Sequence, residues 1–117
     1  MTPAPIKPIA TPADLDKLDI RVGTIREVRE VPSSEKLLQL IVTFGDHERS
    51  ILAGMKKERP DPRVLAGRQA LFVVNLAPRK MAGLMSEGML FDIGYADGIV
   101  PVLATPEAPV PDGARAG

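Results

Sequence analysis

Few residues in this chain could act chemically, and their spacing favours gripping an anion over breaking a bond. The single histidine, His47, stands between Asp46 and Glu48. It has no second histidine for a metal and no serine at a nucleophile's spacing, so a solvated turn residue is expected there. The absence of cysteine removes disulfides, zinc–thiolate sites and thiol nucleophiles, and suits a reducing compartment. Glu27 and Glu30 lie on a stretch that also carries Arg26 and Arg29, which reads as a solvated face and not as an acid/base pair. The stretch "AGMKKERP" has one glycine, and its lysines run into proline instead of a helix, unlike a phosphate-binding loop. We therefore expect no catalysis, no metal and no cofactor. What remains is the basic pair Arg79–Lys80, inside "NLAPRKMAGLMSEGML" (residues 75–90), together with Met81, Met85 and Met89. Adjacent cations on a loop suit a phosphate backbone, and Lys36, just after a turn, is a further candidate.

Charge along the chain is uneven although the formal net charge is zero. Residues 49–80 carry eight basic and two acidic groups, whereas residues 81–117 carry one and five. A neutral protein can still present a basic face. At 117 residues the chain is long enough for one domain with its own core. No apolar run has the length of a signal peptide or a membrane span, so a cytoplasmic protein without membrane contact is expected.

The elements that must position these groups are short strands. Eight of the twelve prolines fall in residues 1–12 or 101–117, so the ends should be extended and residues 1–10 disordered, leaving residues 11–117 as the domain. "TPADLDKLD" predicts a short helix with Thr11 as N-cap. "DIRVGTIREVREV" predicts a strand whose alternation changes phase at Gly23, as a bulge would cause. "KLLQLIVTFG" alternates Leu38, Leu40, Val42 and Phe44 on one face, and "RSILAG" follows as a third strand. "MKKERPDPRVLAGR", interrupted by Pro60 and Pro62, allows a single helical turn. "QALFVVNL" and "MLFDIG" supply the fourth and fifth strands, with Phe44, Phe72 and Phe91 expected in the core. "YADG" then predicts a hairpin to "IVPVLA", turning at Asp97–Gly98. The expected fold is all-β, a five-stranded barrel with a short N-terminal helix and a C-terminal hairpin extension.

Residues 75–90 cannot be a regular helix, because Pro78 disrupts its start and Gly83 and Gly88 lie within it. The methionine spacing of four is then no helical stripe. The run Asn75, Leu76, Pro78, Arg79, Lys80, Met81, Gly83, Ser86, Gly88, Met89 resembles a motif of the tRNA-binding domain family. That family includes the C-terminal domain of many methionyl-tRNA synthetases, stand-alone bacterial tRNA-binding proteins and domains of the endothelial-monocyte-activating-polypeptide type. "LDIRVGTI", "VPSSEKLLQLIVTFG" and "ILAG" extend the resemblance over roughly residues 15–104. It implies an oligonucleotide-binding (OB) barrel, a homodimer, and a grip on the outside corner of folded tRNA, with an aminoacyl-tRNA synthetase as a further partner. In an OB barrel the loop between the fourth and fifth strands contacts ligand, which makes Arg79 and Lys80 phosphate-binding candidates, with Lys36 and Ser86 beside them. Met81 and Met89 would add flexible apolar surface, Met85 would pack in the core or a dimer, and Asn75, Pro78, Gly83 and Gly88 would shape the loop. Scarce aromatics favour recognition by shape and backbone over base stacking.

A second branch with the same barrel, the CsaA-type secretion-related chaperones, shares "LDIR.GTI" and an ending similar to "PEAPVPDGARAG". Gly88–Met89 and "ILAG" point to the tRNA-binding branch. Glu87 and the C-terminal tail resemble the other, so a peptide-binding chaperone stays open as the alternative.

Overall fold

The computed structural model describes residues 2–56 and 59–117; Lys57 and Glu58, part of the expected non-strand stretch, lie outside the described residues. One short helix, α1 (Pro12–Asp16), precedes ten strands: β1 (Ile20–Glu30), β2 (Leu38–Thr43), β3 (Glu48–Ala53), β4 (Gln69–Val73), β5 (Arg79–Met81), β6 (Leu84–Ser86), β7 (Met89–Leu90), β8 (Asp92–Ile93), β9 (Val102–Leu103) and β10 (Arg115–Ala116). The expected cap starts α1. Thr11 Oγ1 accepts from Asp14 N at 3.2 Å and Asp14 Oδ2 accepts from Thr11 N at 3.0 Å, a capping box closed by aspartate.

The main sheet runs β3-β2-β1-β4-β7, all antiparallel. The alternation read from β2 holds, with Leu38, Leu40, Val42 and the following Phe44 buried. They meet Ile25, Ile51, Met55, Phe72 and Leu90 in one core, where Phe44 and Phe72 pack edge to face with centroids 5.7 Å apart. The register shift of β1 falls between Ile25 and Glu27, two residues beyond Gly23. Gly23 serves a close approach instead, since a Cβ there would lie 2.6 Å from Val42 Cγ1 and 2.8 Å from Phe44 Cε1. The helical turn allowed between the third and fourth strands is a 3-10 turn, Pro62–Leu65, capped by Asp61, and it delivers buried Leu65 to the core.

The barrel closes between β3 and the segment entering β7 with irregular partners. Ser50 O accepts from Glu87 N at 2.8 Å, Ser50 N donates to Glu87 Oε1 at 3.0 Å, and Leu52 N donates to Ser86 Oγ at 3.0 Å. Side-chain oxygens thus satisfy edge N–H groups that a regular neighbouring strand would otherwise take.

Two expectations for the C-terminal third are corrected. No tight turn forms at Asp97–Gly98: β8 and β9 pair across residues 94–101, which contain a 3-10 turn at Tyr95–Asp97 flanked by left-handed Gly94 and Gly98. Phe91 sits between β7 and β8 at 44% exposure instead of in the core. The expected C-terminal hairpin extension is the β8–β9 pair, and the tail continues past it. Its last residues return to β1, where Ile20 faces Ala116, Arg21 faces Arg115, Val22 N donates to Ala114 O and Gly113 N donates to Val22 O. The reason lies in β1's length: β2 pairs with it only from Thr24 onward, which leaves an open edge at residues 20–22 for the tail to cover. Residues 2–10 form no helix or strand and are exposed.

Candidate nucleic-acid interface

Residues 79–86 form a hairpin, more regular than the loop expected there. Arg79 faces Ser86, Lys80 faces Met85 and Met81 faces Leu84. Ala82 and Gly83 turn the chain with φ of 49° and 81°. Positive φ at both central residues gives a turn whose twist matches the strands, which is why glycine is useful at Gly83. Gly88 has a different cause: with φ 153°, a Cβ there would sit 3.0 Å from Val73 O and 3.2 Å from Ile51 Cδ1. Pro78, exposed, immediately precedes the hairpin.

The hairpin lies against β3 through β6, so β6 carries its inward residue while β5 is mostly exposed. Arg79 and Lys80 are exposed, and neither side chain has an ion-pair or hydrogen-bond partner among the described residues. Met81 is half-buried, while Met85 and Met89 are 48% and 49% exposed, which takes Met85 out of the core. Ser86 faces inward at 3% exposure. Its hydroxyl accepts from Leu52 N and donates to Gly88 O at 2.9 Å, so it joins the hairpin to the barrel and is corrected from an outward contact to an internal one. Asn75 does bond to backbone, but to a distant segment: Oδ1 accepts from Asp19 N at 2.8 Å and Nδ2 donates to Lys17 O at 2.7 Å, tying the exit of β4 to the junction of α1 and β1.

Lys36 is exposed on the turn between β1 and β2. This turn touches the hairpin, because the Ser33 hydroxyl donates to Ala82 O at 3.3 Å. Two loops far apart in sequence thus share one end of the barrel. Most other cations are engaged. Arg21 and Arg115 share Asp19, Arg26 pairs with Glu48, Arg29 with Glu27, Lys56 with Glu30 and Arg63 with Asp61. Arg49 and Arg59 bond to a histidine or to backbone oxygens instead. Among the described residues the cationic side chains with neither an ion pair nor a hydrogen bond are Lys7, Lys36, Arg68, Arg79 and Lys80, three of which belong to the two touching loops.

Sequence reading missed the group beneath the hairpin. His47 is not simply solvated: it stacks on Phe44, its Nδ1 bonds Asp46 Oδ1 at 2.6 Å, and its Nε2 accepts from Arg49 Nε at 3.0 Å. The hydrogen bond from His47 is the foremost cause holding the Asp46 carboxyl below its ordinary range. No spacing in the sequence signals this cluster, since the partners that give it meaning, Val74 and Glu87, lie just beyond β4 and just beyond β6. Among the described residues no group of three or more histidine or acidic side chains stands together as a metal site.

The barrel, with two touching loops at one end whose cations are unpaired among the described residues, is of the OB type. Residues 20–115 match the tRNA binding domain family, and the chain belongs to it. It is 42% identical over 112 residues to the methionine–tRNA ligase of Parabacteroides distasonis, covering 93% of this chain and 16% of that protein. With the ligase of Chloroherpeton thalassium it shares 41% over 100 residues, covering 86% of this chain and 14% of that one. The chain thus spans about one sixth of the ligases it matches, and the family is one of binding domains, not of catalytic ones. Among solved structures, the methionyl-tRNA-synthetase-related protein of Pyrococcus horikoshii superposes with a TM-score of 0.86 at 34% identity, covering 95% of this chain and all of that one. The chaperone CsaA of Bacillus anthracis superposes at 0.77 with 27% identity, covering 94% of this chain and all of that one.

Proposed function

We propose that this protein binds folded tRNA by shape and backbone, without sequence preference and without catalysis, as a binding or delivery module in the cytoplasm. The observation that carries the reading is the gathering of Lys36, Arg79 and Lys80, unpaired among the described residues, on two loops joined by the Ser33–Ala82 contact. Their charge is available to phosphate because no carboxylate among the described residues neutralises it. Phe44 and Phe72 are buried, which leaves Phe91 and Tyr95 as exposed rings, fewer than a single-strand binder stacks its bases on. Met85 and Met89 supply adaptable apolar surface beside the cations. Recruitment of an aminoacyl-tRNA synthetase fits the same role. Titration against whole tRNA and against an unfolded RNA of equal length tests the proposal. Tighter binding of tRNA is expected, and equal affinity for both would defeat recognition by shape.

The chain also works as a homodimer in this reading. Phe91, Ile93, Ile99, Val100 and Val102 are all 44% exposed or more on one stretch of chain, more apolar surface than a lone domain usually leaves to water.

One observation favours the chaperone alternative. A groove between α1 and the returning tail is lined by Leu15, Leu18, Ile20 and Phe91, with Asp19 and Arg115 alongside, and could seat an extended apolar peptide. Suppression of an unfolded client's aggregation at stoichiometric levels would support it, and its absence would leave the RNA reading alone.

A further inference from the structure

The hairpin that carries Arg79 and Lys80 is an excursion from the barrel, leaving at Val74 and returning at Glu87. Both ends of it meet one side chain. Arg49 Nη1 donates to Val74 O at 2.6 Å and to Glu87 O at 3.1 Å, while its Nε donates to His47 Nε2. His47 is in turn held by Asp46 and lies against Phe44, whose ring centroid is 5.8 Å from Arg49 Cζ. Five-donor planar geometry lets a guanidinium serve three acceptors at once, which a lysine ammonium at the end of a flexible stem does not reproduce in the same directions.

We infer that Arg49 is a positioning residue for the RNA-binding hairpin. It clamps the hairpin's two roots together and so sets where Arg79 and Lys80 present their charges, without touching RNA itself. This rests on the RNA-binding reading for its consequence, but not for its geometry. Without the clamp, the 75–86 segment stays attached through the Ser86 and Glu87 bonds to β3, while its entry at Val74 loses its tie to its exit. The loosened hairpin samples more orientations, and each binding event must then order it.

The test uses the full chain with Arg49→Lys, Arg49→Gln and, as a charge control remote from the clamp, Arg68→Gln. Hydrogen exchange is measured without RNA, and tRNA affinity is measured separately. Both Arg49 variants should raise exchange in residues 75–86 about tenfold relative to β1 and β2, and weaken tRNA binding about fivefold to twentyfold. Arg68→Gln should leave hairpin exchange unchanged. Lysine restoring full affinity would identify Arg49 as a direct phosphate contact and overturn the inference, as would unchanged hairpin exchange in both variants. If neither Arg49 variant folds, His47→Ala removes the guanidinium's orienting acceptor while keeping Arg49 itself, and exchange confined to the hairpin should rise about threefold. No rise in that variant would also overturn the clamp. A wild-type protein that does not prefer tRNA would refute the RNA reading, and the exchange data would still decide the clamp.

Discussion

Arg79 and Lys80 stand out in the proposed interface by what they lack, a carboxylate partner among the described residues, in a chain where most other described cations have one. Each phosphate contact releases condensed counterions, so salt dependence counts them. Changing both to alanine should weaken tRNA binding and reduce the slope of log affinity against log salt by about one to two, read from titrations at several ionic strengths. An unchanged slope would place them off the phosphate path. Ser86 makes the opposite case, a polar residue whose work is internal. In Ser86→Ala the buried Leu52 N loses its acceptor, and the loss of stability by denaturant titration should be about 1–3 kcal/mol, with tRNA affinity per folded molecule falling far less than in the double variant. The motif told both residues apart from ordinary surface, yet it could not say which faced out. That depends on which strand of the hairpin packs against β3: β6 does, which buries Ser86 and leaves its cross-strand partner Arg79 exposed.

At the scale of elements, the short strands and the one capped helix follow from local chemistry, and the C-terminal tail does not. The tail's hold on β1 combines backbone pairing with the Asp19 carboxylate, which accepts from Arg21 Nε at 3.0 Å and from Arg115 Nε at 3.2 Å. Hydrogen bonding from Arg21 is the main cause that lowers the Asp19 pKa below its ordinary 3.8, partial burial opposes it, and Arg115 adds to the lowering. A lowered carboxylate pKa stabilises the fold fully above the unfolded value and loses that contribution as pH falls through the folded one. Protection of the Gly113 amide, which donates to Val22 O, should therefore hold from neutral pH to about pH 4 and decline below that. Asp19→Asn should lower Gly113 protection at neutral pH, and its difference from wild type should vanish in acid. A difference that persists at the lowest pH would show that the carboxylate's charge is not what holds the tail.

For the whole molecule the proposed dimer rests on the apolar side chains left outside the core. Ile93 and Val102 pair across β8 and β9 and are 52% and 47% exposed, beside Phe91 and Val100. Sedimentation should give twice the 12.6 kDa chain mass at micromolar concentration, and Ile93→Arg should shift it to one chain mass without unfolding the barrel. A concentration-independent single-chain mass for the wild type would remove the dimer. The family, the barrel and the motif could be read from the sequence because strand alternation, proline and glycine punctuation and a contiguous signature are all local. The tertiary structure alone decided that Ser86 closes the barrel, that Asn75 ties β4 to the start of β1, that the tail covers β1, and that Arg49 and His47 sit under the hairpin. Each of these depends on partners 25 to 96 residues away, apart from the neighbouring Arg49–His47 contact, which acquires its meaning from Val74 and Glu87. A hydrogen bond leaves no periodic trace in sequence when its two ends are brought together only by the closing of a barrel.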